Sequence, residues 1–92
     1  MPLISYVNGT YVPHMKASIH IEDRGYQFAD GVYEVLSVFS GHIVDEDKHL
    51  QRLTFSLLEL KIEMPMPIQA FKLVCREVIR RNRLENGTLY IQ

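Results

Sequence analysis

Leucines recur at spacings of three and four residues in the middle of the chain, a pattern typical of a helix with one apolar face. The positions are Leu50, Leu53, Leu57 and Leu60. Asp45 stands before this stretch and is predicted to cap the helix, and Glu46 and Asp47 suit the positive end of its dipole. The sequence therefore predicts an amphipathic helix that follows Asp45.

A second apolar stripe begins after a break at Pro65 and Pro67. Its inward positions are predicted to be Ile68, Phe71, Cys75, Val78 and Ile79. The arginines near its end suit the negative end of the dipole, although a solvated face explains them equally well; they are Arg80, Arg81 and Arg83. A second helix is therefore predicted after the two prolines.

Extended segments are predicted on both sides of this helix pair. Residues 3–12 read as a hairpin around Asn8-Gly9, since both residues tolerate the positive φ of a two-residue turn. Residues 17–22 are a candidate for a further short extended segment. The stretch from Glu22 to Asp30 is rich in turn formers and predicts an ordered loop with one helical turn.

The longest predicted strand is residues 32–39, whose β-branched and aromatic side chains on both faces suggest a strand covered on two sides. Ser40-Gly41 is expected to turn it back into residues 43–44, and residues 88–92 form a last strand after Asn86-Gly87. The predicted fold class is α+β, an antiparallel-rich sheet with the helix pair packed on one face.

Composition narrows the possible functions mainly by exclusion. The chain has 92 residues, 47% of them hydrophobic, and a formal net charge of -1, which gives no electrostatic case for nucleic acid or an anionic membrane. No apolar run could span a bilayer, and the segment from Met1 to Ser5 does not resemble a signal peptide, so a cytoplasmic protein is expected. Cys75 is the only cysteine, which excludes an internal disulfide and favours a small buried side chain.

The side chains that could carry chemistry are few. The histidines lack metal-ligand spacing, so no metal site is predicted; they are His14, His20, His42 and His49. His49 and the acidic residues before it are expected to be solvated. Judged by residue type alone, Arg52 is a surface charge and Tyr33 a packed strand aromatic. No glycine-rich nucleotide motif or nucleophile elbow is present, and residue chemistry alone ends at a globular α+β domain.

One long motif changes this interpretation. The run Glu22-Asp-Arg-Gly-Tyr-Gln-Phe-Ala-Asp-Gly-Val-Tyr-Glu-Val35 is followed by His49-Leu-Gln-Arg-Leu53. Together they resemble the class IV aminotransferases, whose pattern is a DRG segment, then FGDGVYE, then an HLxRL helix. The resemblance covers essentially all 92 residues and is strongest to the D-amino-acid transaminases. It implies the small N-terminal domain of that fold for residues 1–92.

The resemblance also implies a cofactor and roles for three residues. Pyridoxal 5'-phosphate is expected in the full-length enzyme, and Arg52 inherits the family's phosphate-binding role, which suits the two-pronged guanidinium. Tyr33 and Tyr90 inherit substrate-binding positions, Tyr90 with the less defined role. Ala29 stands where the family usually has glycine, and it would cost about 1 kcal/mol if that position needs positive φ.

The catalytic residue is expected outside this chain. The Schiff-base lysine of the family belongs to the sequence after Gln92, and none of the lysines present lies in a matching motif: Lys16, Lys48, Lys61 and Lys72. The chain alone is therefore expected to be inactive. The implied parent is a homodimeric transaminase that moves an amino group between an amino acid, such as D-alanine, and a 2-oxo acid, with its own C-terminal domain as a partner.

Three alternatives stay open at this stage. A branched-chain aminotransferase and the lyase of 4-amino-4-deoxychorismate share the implied fold and the arginine. A non-catalytic binding or dimerisation module is the alternative from a different class. A Thr-Arg-Gly continuation and a later lysine after Gln92 would favour the enzyme.

Overall fold

The computed structural model describes residues 3–92, which form two antiparallel sheets and two long helices. The prediction that the segment from Met1 to Ser5 is not a signal peptide includes Met1 and Pro2, which lie outside the described residues. The predicted α+β class is confirmed, and the helix pair packs on one face of the larger sheet. Between Leu3 and Gln92, no helix is both long and apolar enough to cross a membrane.

The N-terminal hairpin is confirmed. Strands β1 (Ile4–Val7) and β2 (Thr10–Pro13) pair antiparallel with Val7 opposite Thr10. Asn8 and Gly9 both have positive φ, 49° and 88°, as a tight turn that follows the strand twist requires. The hairpin is followed by one 3₁₀ turn, His14–Lys16.

The loop from Glu22 to Asp30 contains one helical turn, as predicted. Helix α1 (Arg24–Phe28) begins after Asp23, whose side chain accepts a hydrogen bond of 2.8 Å from the Gly25 amide, and it ends at Ala29. Ala29 has φ 58°, so the position does need the left-handed conformation that glycine adopts most easily. No strand forms over residues 17–22: the backbone is extended at Ala17, but the amide of Asp23 bonds back to the carbonyl of His20 and turns the chain there.

The three-stranded sheet has the order β4-β3-β5 and is antiparallel throughout. It consists of β3 (Glu34–Phe39), β4 (His42–Ile43) and β5 (Gly87–Ile91). The expected turn lies between β3 and β4, with Ser40 and Gly41 at positive φ. Ile91 lies opposite Glu34 and Tyr90 opposite Val35.

Burial alternates strictly along β3. The inward face carries Glu34, Leu36 and Val38, all buried, whereas Val35 and Phe39 on the other face are 47% and 68% exposed. The prediction that this strand is covered on two sides is therefore wrong for the part of the chain described, because both long helices pack on the same face of the sheet. The outward face of β3 is exposed among the described residues.

The two predicted helices are α2 (Glu46–Glu59) and α3 (Ile68–Arg81). Each contributes its predicted apolar stripe to the core; the buried members are Leu50, Leu53, Leu57, Cys75 and Ile79. Leu60 is the exception, since it lies just past the end of α2 and is 50% exposed. Phe71 touches both core clusters and joins them.

The start of α2 differs from its predicted form. Asp45 precedes the helix with φ 53°, and its side chain accepts no capping hydrogen bond, so the predicted side-chain cap is wrong. Glu46 and Asp47 instead pair with Arg76 and Lys72 of α3, each at 2.8 Å. Both carboxylates therefore link the two helices; Glu46 is 13% exposed and not solvated as expected, whereas Asp47 remains 76% exposed.

Candidate functional site

Strand β3 and helix α2 meet at a buried carboxylate. Glu34 is the first residue of β3 and only 4% of it is exposed, since it points inward with Leu36. Arg52 on α2 donates two hydrogen bonds to it, from Nε to Oε2 and from Nη2 to Oε1, both of 2.8 Å. This parallel, two-bond arrangement is the strongest form of an arginine–carboxylate pair.

His49 supplies a third contact to the same carboxylate. It precedes Arg52 by three residues, so both side chains lie on one face of α2. The His49 Nδ1 atom lies 2.8 Å from Glu34 Oε1, and the histidine side chain is 23% exposed. The expectation that His49 is solvated beside its acidic neighbours is therefore wrong, because β3 offers it a buried acceptor.

The hydrogen bonds outweigh burial in setting the charge state of this cluster. Burial would favour a neutral Glu34, but the hydrogen bonds from Arg52, with a smaller contribution from His49, lower the pKa of Glu34 to about 2. The same pairing raises the pKa of Arg52. Glu34 is thus a carboxylate and Arg52 a guanidinium throughout the physiological pH range.

Arg52 keeps free donors on its outer side. Its side chain is 66% exposed although its partner is buried. The contacts to Glu34 use Nε and one N–H of Nη2, and Nη1 donates to nothing within residues 3–92. A guanidinium has five N–H donors, so three of them remain available to an oxyanion from outside, and two of these three lie along the Nη1–Nη2 edge.

Tyr33 and Tyr90 are brought together on the opposite face of the sheet. Their rings stack with centroids 6.3 Å apart and an angle of 12° between planes. Tyr33 is 65% exposed and Tyr90 56%, and the Tyr90 hydroxyl donates a hydrogen bond to Gln92 Oε1. Tyr33 is therefore not the packed strand aromatic that residue type alone suggests.

The three predicted site residues thus form one connected region. Tyr33 and Glu34 are consecutive and point to opposite faces of the sheet, as strand geometry requires. Arg52 is joined to this strand through Glu34, and Tyr90 is joined to it through Tyr33. Tyr33 and Arg52 lie on open surface, whereas Tyr90 also lines a cleft of about 460 Å³ between β5, β1 and α3. A cleft of about 680 Å³ between β4 and the end of α3 lies elsewhere, since neither Tyr33 nor Arg52 lines it.

Glu34 and His49 are the site residues that the sequence interpretation missed. Both stand inside the motifs already singled out, Glu34 next to Tyr33 and His49 three residues before Arg52. A glutamate among inward apolar strand positions needs a buried partner, and an arginine on the facing helix is the natural one. The partner of Glu34 can be predicted only when β3 and α2 are known to pack against each other.

Comparison with known proteins identifies the family. The sequence profile described as Amino-transferase class IV matches residues 31–92, which is more than half of the chain and includes Tyr33, Glu34, Arg52 and Tyr90. The chain therefore belongs to the class IV aminotransferase family, as its motifs indicate.

Individual relatives are D-alanine aminotransferases. The chain is 36% identical over 85 residues to that of Bacillus licheniformis and 31% identical over 87 residues to that of Staphylococcus haemolyticus. It is 33% identical over 86 residues to that of Listeria monocytogenes serotype 4b (strain F2365). These alignments cover 92–95% of this chain but only 30–31% of each relative, so the chain spans just under a third of the curated relatives it matches.

The donor set of Arg52 fits the phosphate of pyridoxal phosphate. A dianion needs a fixed cation with parallel donors, and the exposed Nη1–Nη2 edge provides both. Leu50 and Leu53 are buried at 2% and 3%, so they anchor α2 in the core on either side of Arg52. The residues present thus suit one end of the cofactor.

Proposed function

We propose that this chain is the N-terminal part of a pyridoxal-phosphate-dependent transaminase that acts on an amino acid and a 2-oxo acid. The observation that carries the proposal is the Arg52 guanidinium, held against buried Glu34 with its outer edge free, in a chain of the class IV family. The similarity to D-alanine aminotransferases favours D-alanine as the amino donor over branched-chain substrates or a lyase reaction. Free and buried Cys75 suits a reducing compartment such as the cytoplasm.

In this proposal the residues of the chain bind and orient the cofactor and the substrate. Arg52 holds the cofactor phosphate through Nη1 and Nη2, and the Tyr33 hydroxyl donates to a substrate carboxylate on the open face of the sheet. Tyr90 stacks against Tyr33 on the same face, and it binds the substrate by exchanging its hydrogen bond to Gln92 for one to the substrate. The cofactor, when bound, supplies the ring that withdraws electrons from the substrate. The protein contributes position and charge.

The remaining parts of the site belong, in this proposal, to sequence after Gln92. The relatives are about three times longer than this chain. We place the Schiff-base lysine in a C-terminal domain that closes over the open face of β3, and we propose that the full-length protein is a homodimer. Among the lysines in the described part, Lys72 is already paired with Asp47.

The cofactor role of Arg52 is tested by titrating the full-length protein with pyridoxal phosphate and following absorbance. Arg52→Ala should weaken binding on the order of 100-fold, because a charged two-bond contact is lost. Pyridoxal, which lacks the phosphate, should bind variant and wild type equally. Arg76→Ala is the matched control, since Arg76 is another exposed helix arginine paired with a glutamate. Equal affinity of Arg52→Ala and wild type for pyridoxal phosphate would refute the proposal.

The reaction is tested by turnover. The full-length protein should transfer the amino group of D-alanine to 2-oxoglutarate, whereas the 92-residue chain should show no turnover, because no lysine in it is placed to form the Schiff base. Transfer from L-valine or L-leucine in preference to D-alanine would favour a branched-chain aminotransferase. Turnover by the 92-residue chain would contradict the placement of the catalytic lysine after Gln92.

A further inference from the structure

We propose that Glu34 is a positioning residue, which fixes the guanidinium of Arg52 so that only its Nη1–Nη2 edge faces the cofactor phosphate. This inference rests on the proposed function, in which Arg52 binds that phosphate. It adds a residue that touches neither cofactor nor substrate and yet decides which atoms of Arg52 make the contact.

The first support is the geometry of the pair. Glu34 Oε2 accepts from Arg52 Nε and Oε1 accepts from Nη2, both at 2.8 Å, so the carboxylate and the guanidinium share a plane. This pairing occupies the Nε edge completely. A phosphate that approaches from solvent therefore meets the neighbouring Nη1–Nη2 edge, along which one N–H of Nη1 and the second N–H of Nη2 point outward.

The second support is that the carboxylate itself cannot turn. Glu34 is 4% exposed on the core face of β3, between the strand and α2. His49 holds Oε1 from Nδ1 at 2.8 Å, so the oxygen that binds Nη2 is fixed by a second side chain. Arg52 alone has many rotamers at 66% exposure, and this buried anchor selects one of them.

A carboxylate beside the phosphate site also has an opposing effect, since it repels the dianion. The two anions lie on neighbouring edges of the guanidinium, so its positive charge stands between them, and the outer edge is open to water, which screens their repulsion. The rotamer freedom of an exposed arginine is among the largest of any side chain. We therefore expect positioning to outweigh repulsion when position 52 is arginine.

With lysine at position 52 the balance reverses. An ammonium is a single point charge without a second edge, so Glu34 would hold it and leave little for the phosphate. Removing the carboxylate should then release the ammonium. The same substitution, E34Q, is thus expected to act in opposite directions in the two backgrounds.

The test measures the dissociation constant of pyridoxal 5'-phosphate for four full-length proteins: wild type, E34Q, R52K and the double variant E34Q/R52K. E34Q should weaken binding about 10-fold relative to wild type, the effect of one charge-assisted hydrogen bond. E34Q/R52K should bind at least about threefold more tightly than R52K. Pyridoxal without phosphate should bind all four proteins equally.

The outcomes separate the possible explanations. If E34Q weakens binding of pyridoxal 5'-phosphate both with arginine and with lysine at position 52, and weakens binding of pyridoxal equally, the role of Glu34 is purely structural. If E34Q tightens binding with both residues, the effect of Glu34 is purely repulsive. Either result overturns the inference. If R52A weakens binding but E34Q does not, the inference fails while the proposed function stands. If R52A has no effect, the proposed function itself fails.

A measurement on the wild-type protein keeps the inference testable if E34Q does not fold. The Nε–H of Arg52 should exchange slowly with solvent in nitrogen-15 NMR spectra, both before and after addition of pyridoxal 5'-phosphate, because Glu34 holds it on the buried side. Arg83 is the reference for an exposed arginine. Exchange of the Arg52 Nε–H as fast as that of Arg83 would overturn the inference.

Discussion

The buried carboxylate of Glu34 should make the stability of the chain depend on pH in a defined window. Its pKa is lowered from 4.5 to about 2 in the folded protein by Arg52 and His49. As the pH falls below about 4.5, the unfolded chain takes up a proton at Glu34 before the folded chain does, and the folded state loses its advantage. The stabilisation is thus fully present above pH 4.5 and disappears as the pH approaches about 2.

The size of this effect follows from the interval between the two pKa values. Without screening by water, that interval corresponds to roughly 3 kcal/mol of stabilisation of the folded state. Arg52 is 66% exposed, and water around it screens the pair, so we expect about 1–2 kcal/mol. Glu34→Gln should therefore lower the free energy of unfolding at pH 6 by about 1–2 kcal/mol, and this deficit should shrink toward zero between pH 4.5 and pH 2.

The assay is urea unfolding of the 92-residue chain, followed by circular dichroism at several pH values for wild type and variant. Glu77→Gln is the matched control, because the pKa of Glu77 is also lowered to about 2, by hydrogen bonds from Arg80 and Arg81. That cluster lies on the surface of α3, so its contribution should vanish at high salt while the Glu34 effect persists. A Glu34→Gln deficit that stays constant from pH 6 to pH 2 would show that the pKa of Glu34 is not lowered and would refute the ion pair.

Three further predictions follow from single residues. Ala29→Gly should raise the free energy of unfolding by about 0.5–1 kcal/mol because φ is 58° there, whereas Ala17→Gly, at an extended position, should lower it; a loss at Ala29 would contradict the argument. Cys75 is buried and burial raises its pKa to about 11, so a disulfide reagent near pH 8 should label it only after unfolding; rapid labelling of the native chain would contradict its burial. Tyr33→Phe should change stability by less than about 0.5 kcal/mol, since the side chain is exposed, and should lower the kcat/KM proposed for the full-length protein about 10-fold; early melting with normal turnover would contradict the proposed role of Tyr33 in substrate binding.

Most of the fold could be predicted from the sequence, because its signals are local. The hairpin follows from Asn8-Gly9, and the two helices follow from apolar stripes at spacings of three and four. The errors lie where a local signal competes with a contact distant in sequence. Asp45 is an ordinary capping residue by type, but the backbone at that position is left-handed and its side chain caps nothing.

Burial of β3 was predicted incorrectly for a different reason. Apolar residues on both faces, such as Val35 and Leu36, led to the prediction of a strand covered on two sides, which is wrong for the described residues. The described residues cover only the face of Leu36. The side on which α2 and α3 pack decides which face of β3 is buried, and a strand with apolar residues on both faces does not encode that side.

The same alternation explains why the site was only half predicted. Tyr33 and Glu34 are adjacent, so a strand necessarily sends one to the open face and the other into the core. A search for pocket residues selects the exposed tyrosine and passes over the buried glutamate. Yet the glutamate couples the packing of β3 on α2 to the position of the free Nη1–Nη2 edge of Arg52. A substitution that shifts the strand against the helix should therefore move that edge as well, even when it lies far from any ligand.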